Sequence, residues 1–249
     1  MSFFAVLLLT ILTVYTSKLQ AQQYQKRFGL WNSDTTYTGF TPLRDSGIAI
    51  ITVANKLNSE IKVVKIDKNG SQAARVKLTL PMDFNCETYT PVIIEDEEGA
   101  LICSFSYSGT FNLNGVIIFK LSPSLTVLWN KYVLGAPMKQ FAPMTRCGKK
   151  YFTVSRQIKN DPSGLNPKLE FGYTLSCFDN NGDHVWSKTF LSDSSNYYEN
   201  LSVFTNNRNS VVVTSAHGTV QGLNENTHRF VVYNEVDTNG TVLQTKAAT

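Results

Sequence analysis

The chain of 249 residues lacks most of the signals from which an active site is usually read. It holds three histidines, and they share no ligand-spacing motif. His184 follows a turn, while His217 and His228 flank one loop, where Glu225 would have to complete a metal site. There is no Gly-x-Ser-x-Gly elbow, no glycine-rich phosphate loop and no Cys-x-x-Cys pair. Charge of one sign is missing too. The 23 basic and 19 acidic residues leave a net +4, and the Lys and Arg are scattered, which excludes a nucleic-acid footprint. No window carries a sustained 3.6-residue periodicity behind a capping residue, so helices are not expected. Neither a cofactor nor a metal is expected.

Long apolar runs are scarce as well. Phe3 to Val14 forms a 12-residue run, too short to span a bilayer, and Leu19-Gln20-Ala21 ends in a small residue. Residues 1–21 therefore read as a signal peptide, although no Lys or Arg precedes the apolar run. Removing 21 of 249 residues leaves 228, enough for a large core, and no later segment is apolar enough to cross a membrane. The four cysteines of an exported chain allow three disulfide pairings. Their placement argues against a framework. Cys103 takes a strand position held elsewhere by Ile51 and Val213; Cys177 takes one held by Lys65, Lys120 and Glu235 and so reads as outward. Cys86 and Cys147 fall in connecting segments. Free thiols are the expectation.

What the chain does have is aromatic content, 12%, of a kind that suits strands, and an internal repeat. Ile66-Asp67-Lys68-Asn69-Gly70 recurs as Leu121-Ser122-Pro123-Ser124-Leu125, Phe178-Asp179-Asn180-Asn181-Gly182 and Val236-Asp237-Thr238-Asn239-Gly240, at steps of 55, 57 and 58 residues. Each copy is a hairpin turn. Asn-Gly supplies the positive φ that a tight turn needs, and the Asp carboxylate accepts from turn amides. Four units of this kind, roughly 37–80, 88–134, 141–190 and 199–246, each divide into four short strands. After the turn, Trp186, Lys188 and Phe190 fall on one face of a strand and Ser187 and Thr189 on the other. The run Asp179 to Asp183 is a turn rather than a calcium loop, because both flanks are strands and no bidentate Glu follows at the twelfth position. The fold class read from this pattern is all-β, a β-propeller of about four four-stranded antiparallel blades of roughly 57 residues.

Three further stretches carry a resemblance. Trp186-Ser187-Lys188-Thr189-Phe190 matches W-x-K-x-F, Tyr24-Gln25-Lys26-Arg27-Phe28-Gly29 and Trp129-Asn130-Lys131-Tyr132-Val133 follow it with Tyr24 for the Trp and Val133 for the Phe, and Val64-Lys65-Ile66-Asp67 matches the strand before the turn. In these the chain resembles secreted bacterial β-propeller repeat proteins. The first and fourth units depart from the pattern, with Ala74 and Gln244 where Trp is expected. The resemblance implies architecture and export to the periplasm, the cell surface or the medium. It does not imply an activity. Other members of that family continue for more blades, so a partial ring stands beside a closed four-bladed one. Neither the Ser-x-Asp-x-Gly-x-Thr-Trp boxes of sialidase-like propellers nor the Trp-docking repeats of quinone-dependent ones occur.

In a propeller the connections between second and third strands and between successive blades emerge on one side. Here those are the long ones, among them Gln157 to Glu170, Leu191 to Glu199 and His217 to His228. Trp31, Tyr107, Phe111, Tyr197 and Tyr198 lie in these connections and are the candidate binding residues, since amphipathic aromatics favour recognition surfaces. The resulting expectation is an exported, non-catalytic binding or scaffold protein whose long-loop side engages a protein or glycan. Two alternatives stand beside it. One is an extracellular hydrolase of carbohydrate or peptide using carboxylates such as Asp161, Glu170 and Glu199; the other is a functionless fragment of a longer propeller.

Overall fold

The computed structural model describes residues 36–54, 60–80, 84–86, 91–109, 114–134, 144–160, 169–191, 196–219 and 229–248. Among them all regular structure is strand, and the strands form four antiparallel sheets in chain order. The first holds β1 (Thr36–Pro42), β2 (Ile48–Ala54), β3 (Ile61–Ile66) and β4 (Gln72–Leu78). In the second, β5 (Phe84–Cys86) and β6 (Val92–Glu95) share one edge of β7 (Leu101–Gly109), followed by β8 (Asn114–Leu121) and β9 (Val127–Leu134). The third is β10 (Met144–Cys147), β11 (Lys150–Asn160), β12 (Leu169–Phe178) and β13 (His184–Leu191). The fourth is β14 (Asn196–Thr205), β15 (Val211–Thr219), β16 (Arg229–Val236) and β17 (Val242–Ala248). Successive sheets pack face to face in the order first, second, third, fourth. This is a β-propeller-like protein, and each sheet is a blade.

Alternation decides which strand goes where. The second and third strands of each blade are largely apolar and lie inside, so Ile51, Cys103 and Val213 of β2, β7 and β15 are completely buried, although the register makes Ile50 rather than Ile51 the counterpart of Cys103 and Val213. Every such side chain contributes about 1.5–3 kcal/mol over its exposed state. The fourth strands alternate half-buried and exposed residues, as β13 does from Val185 onward. Most of their outward residues are polar, among them Arg75, Lys77, Asn130, Ser187, Thr189 and Thr245. Polar outer edges discourage strand addition by other chains. The first strands approach closely from blade to blade. A Cβ at Gly39 in β1 would stand 2.0 Å from the Pro91 carbonyl oxygen, so only glycine fits there.

The short turns are one structure used six times. Asp67, Asp96, Asp179, Asn206 and Asp237 each accept, through Oδ1, the amides two and four residues ahead, at 2.8–3.2 Å; Ser122 does the same to Thr126 through its hydroxyl, at 3.0 Å. The fourth residue of each turn has positive φ: Gly70, Gly99, Leu125, Gly182, Asn209 and Gly240. The Asp179 carboxylate is thereby engaged by its own turn.

One rule joins each blade to the next. A donor on the third or fourth strand reaches the carbonyl of the second turn residue in the following blade. Lys65 Nζ donates to Pro123 O at 3.2 Å, Trp129 Nε1 to Asn180 O at 3.3 Å, and Trp186 Nε1 to Thr238 O at 3.1 Å. The two indoles lie flat against glycines. A Cβ at Gly182 would meet the Trp129 ring at 2.8 Å, and one at Gly240 the Trp186 ring at 3.2 Å. Where blade one has only Ala74 in the Trp position, blade two's turn carries buried Leu125 in place of glycine. Bulk is kept across the joint although its source changes sides.

This rule corrects the reading of Cys177. Its position faces the next blade's turn and not solvent: Cys177 is fully buried, and Lys120 and Glu235, at the equivalent positions, are each 3% exposed. Cys147 belongs to β10 and Cys86 to β5 rather than to connections. Cys103, Cys147 and Cys177 are buried free thiols. Burial raises all three pKa values, that of Cys177 to about 11, so none is a reactive thiolate at neutral pH.

Candidate functional site

The candidate binding residues divide between strands and undescribed segments. Trp31 and Phe111, like residues 1–21, lie outside the described residues. Tyr107 sits in β7 rather than in a loop. It is 1% exposed, with its ring edge-on to Tyr132 at 5.6 Å, because β7 continues past Ser106 and pairs with β5 through Cys86 and Tyr107. Tyr197 and Tyr198 also belong to a strand, β14, where their partners are Gly218 and His217. The long connections are shorter than the polar residues suggested. Gln157 to Asn160 pair with Leu169 to Gly172, and His217 to Thr219 and Asn196 to Glu199 are likewise strand. Polar side chains do not interrupt a two-stranded ladder whose backbone bonds are made.

Two of the candidate carboxylates sit on this extended end. Glu170 lies near the start of β12, opposite Lys159, and Glu199 lies in β14 opposite Ala216, beside an irregularity before Ser202. β12 and β14 pack against each other across the joint of blades three and four. The topology therefore brings Glu170, Glu199 and His217 to the long-loop end of two adjoining blades. Asp161, Glu225 and His228 lie outside the described residues. Among the described residues no group of three or more His, Cys, Asp or Glu is disposed to hold a metal ion.

Sequence reasoning missed a buried polar cluster at the joint of blades two and three. Lys120 Nζ stands 3.0 Å from Asp96 Oδ2, with both side chains 4% exposed. It also donates to the Tyr151 hydroxyl at 3.2 Å and to the Asn180 side-chain oxygen. Tyr151 in turn donates to Asp96 Oδ2 at 3.0 Å. Burial alone raises the Asp96 pKa. The Lys120 ammonium, the Ala100 and Glu98 amides and the Tyr151 hydroxyl outweigh it and hold the carboxyl below its ordinary value. Burial and the Asp96 charge push Tyr151 the other way, upward. A carboxylate held this firmly in its charged form is a poor general acid. The space beside it, about 20 Å³ among Glu97, Arg146, Lys149 and Asn180, admits no more than a water. The cluster is a rivet between blades. The signal for it was available: Lys at a position that is otherwise buried or paired implies a buried partner.

Among the described residues, a large hollow lies on the outward face of blade four. It encloses about 740 Å³ between Asn206, Arg208, Tyr233, Glu235, Gln244 and Lys246. Glu235 accepts from Ser210 Oγ, from Asn206 Nδ2 at 2.6 Å and from the Tyr233 hydroxyl at 3.1 Å. The Ser210 and Asn206 hydrogen bonds lower its pKa, so it too is held ionised.

Neither a known protein family nor a curated protein matches the sequence. Solved structures do match the fold. An α-L-arabinofuranosidase of Fusarium graminearum, in complex with an iminosugar inhibitor, superposes with a TM-score of 0.55 at 13% identity, over 85% of this chain and 65% of that one. An α-L-arabinanase of Penicillium chrysogenum, complexed with arabinobiose, gives 0.54 at 10% identity, over 86% and 66%. A protein of unknown function from Dyadobacter fermentans gives 0.51 at 12%, over 85% and 68%. The chain thus spans about two thirds of the length of each of these proteins. At such identities the likeness is one of fold.

Proposed function

We propose that this chain is an exported carbohydrate hydrolase whose glycan substrate is engaged at the long-loop end of blades three and four. The observation that carries the reading is the placement of Glu170 and Glu199 on the packed strands β12 and β14, at one end of the molecule. Glycoside hydrolysis needs two carboxyl groups flanking the scissile bond, one to protonate the leaving oxygen and one to attack or to activate water. Support comes from the fold shared with the arabinofuranosidase and the arabinanase. The substrate class this favours is an arabinose-containing oligosaccharide. Tyr197 and Tyr198 precede Glu199 in β14, at the same end of the molecule.

A second reading is binding without turnover. It is favoured by the state of the well-defined carboxylates, since Asp67, Asp96, Asp179, Glu235 and Asp237 are all engaged by turn amides or buried donors. Incubation with 4-nitrophenyl α-L-arabinofuranoside and with arabinobiose separates the two. Released nitrophenol or arabinose, reduced about 10²–10⁴-fold in Glu170→Gln or Glu199→Gln, supports hydrolysis. Calorimetric heat on titrating arabinobiose, with no product, supports binding. Neither turnover nor heat from the folded protein overturns both.

A further inference from the structure

The three joints between blades differ in what lines them, and the strand register names the residues. Lys120 of β8 reaches Asn180 of blade three. The face it shares with Ile118 and Val116, and with their partners Ser104 and Ser106 in β7, therefore looks to blade three. Tyr151 of β11 reaches Asp96 of blade two, so the face it shares with Thr153 and Ser155, and with Ser176 opposite Thr153, looks back to blade two. Ser104, Ser106, Thr153, Ser155 and Ser176 are each no more than 2% exposed. Buried hydroxyls thus wall this joint on both sides.

The same levels of the neighbouring joints are apolar. Along the second strands, Val53 of blade one stands where Ser106 stands in blade two, and Ile51 and Val154 of blades one and three stand where Ser104 does. All three are completely buried. Ile51 and Val53 pack with Cys103 and Phe105 of blade two, and Val154 packs with Val211 and Val213 of blade four. Among the described residues the apolar core divides accordingly. One cluster joins blades one and two and takes in Met144, Tyr151 and Phe178 of blade three; the other holds residues of blades three and four and none of blade two. Tyr151 and Phe178 stand beside the short turns, next to the Lys120–Asp96 pair, and the hydroxyls lie beyond them toward the long-loop end. The joint is fastened at one end and polar toward the other.

Parting an apolar joint exposes side chains that gain nothing from water, whereas a hydroxyl that loses a protein partner takes one from solvent. The joint of blades two and three therefore parts at lower cost than its neighbours. We propose that the protein opens there as a hinge: blades one and two turn against blades three and four about the Lys120–Asp96–Tyr151–Asn180 cluster, and water enters between Ser104 and Ser106 on one wall and Thr153 and Ser155 on the other. The hinge does not depend on what the long-loop end binds or cleaves.

Thiols introduced at matched levels test it. Ser106→Cys and Ser104→Cys report the hydroxyl joint; Val53→Cys and Val154→Cys, at the same two levels, report the apolar joints on either side. Each variant that gives a cooperative melt is alkylated with iodoacetamide, and labelling is followed site by site by peptide mass spectrometry. The buried native thiols Cys103 and Cys177 serve as references within every variant. Ser106→Cys should react about tenfold or more faster than Val53→Cys, and Ser104→Cys faster than Val154→Cys by a similar factor. Low urea should hardly change the rates at the hydroxyl joint, because a hinge exposes little surface, while thiols reached by unfolding accelerate steeply. Equal rates within the matched pairs overturn the proposal. So does labelling of Ser106→Cys and Ser104→Cys that rises with urea as steeply as that of Cys103.

Discussion

The joint between blades two and three and the outward face of blade four occupy the same register positions and differ in what fills them. At the joint, Lys120 lies under Asn180 and Tyr151 of the next blade and makes its ion pair with Asp96 in near-complete burial. On blade four, Glu235 takes the place of Lys120 and Asn206 that of Asp96, and among the described residues the pair lines a hollow. One repeat position thus holds a lysine paired with a carboxylate of its own blade and roofed by the next, or a glutamate held by Ser210, Asn206 and Tyr233 of its own blade. Both side chains are 3% exposed, so the position is buried in either setting and only its partners differ.

Breaking the sealed side should have the largest effect. Lys120→Met leaves the Asp96 carboxylate buried without its cation and is expected to cost about 3–5 kcal/mol in urea unfolding. Glu235→Met, at the same register, leaves only the neutral Ser210, Asn206 and Tyr233 donors without an acceptor and should cost clearly less; equal losses would mean that the two positions are not distinguished by their partners. Tyr151→Phe removes the hydroxyl between Asp96 and Lys120 and should cost about 1.5–3 kcal/mol. The exchange of bulk at the first joint predicts coupling. Ala74→Trp and Leu125→Gly should each destabilise, yet together recover on the order of 1–3 kcal/mol in a double-mutant cycle. Simple additivity would show that Trp and glycine do not pair across joints.

The smallest effect is the response to acid. The Asp96 pKa is depressed on folding, so its contribution is fully present above the ordinary carboxylate range, about pH 4, and is lost as pH falls through the folded-state value. The difference in melting temperature between wild type and Asp96→Asn should therefore narrow on acidification below about pH 4. A difference that stays constant would remove Asp96 from the acid response.

Much of this fold could be read from local chemistry. The spacing of Asp67, Ser122, Asp179 and Asp237 locates the four hairpins between third and fourth strands, because a turn's geometry is dictated by its own four or five residues. The face shared by Trp186, Lys188 and Phe190 followed from period-two alternation: all three lie half-buried, and Lys188 Nζ reaches Gly240 O at 3.2 Å. What eluded reading depends on partners distant in the chain. Cys177 looked outward because Lys and Glu share its position, and the partners that make that position internal lie far away in the chain. Tyr107 looked like a loop aromatic because nothing local reveals that β5 will pair with it. The site was less legible than the fold. Glu170 and Glu199 stand 29 positions apart in sequence and come to one end only through the packing of β12 on β14.

The most direct measurement places the chemistry on one end of the molecule. Arabinobiose is incubated with the wild type, Glu170→Gln, Glu199→Gln and Glu235→Gln, each checked for a cooperative melt, and free arabinose is quantified. The expected result is release by the wild type and by Glu235→Gln, and its loss in both long-loop variants. Absence of release by the folded wild type, or loss confined to Glu235→Gln, would contradict the account.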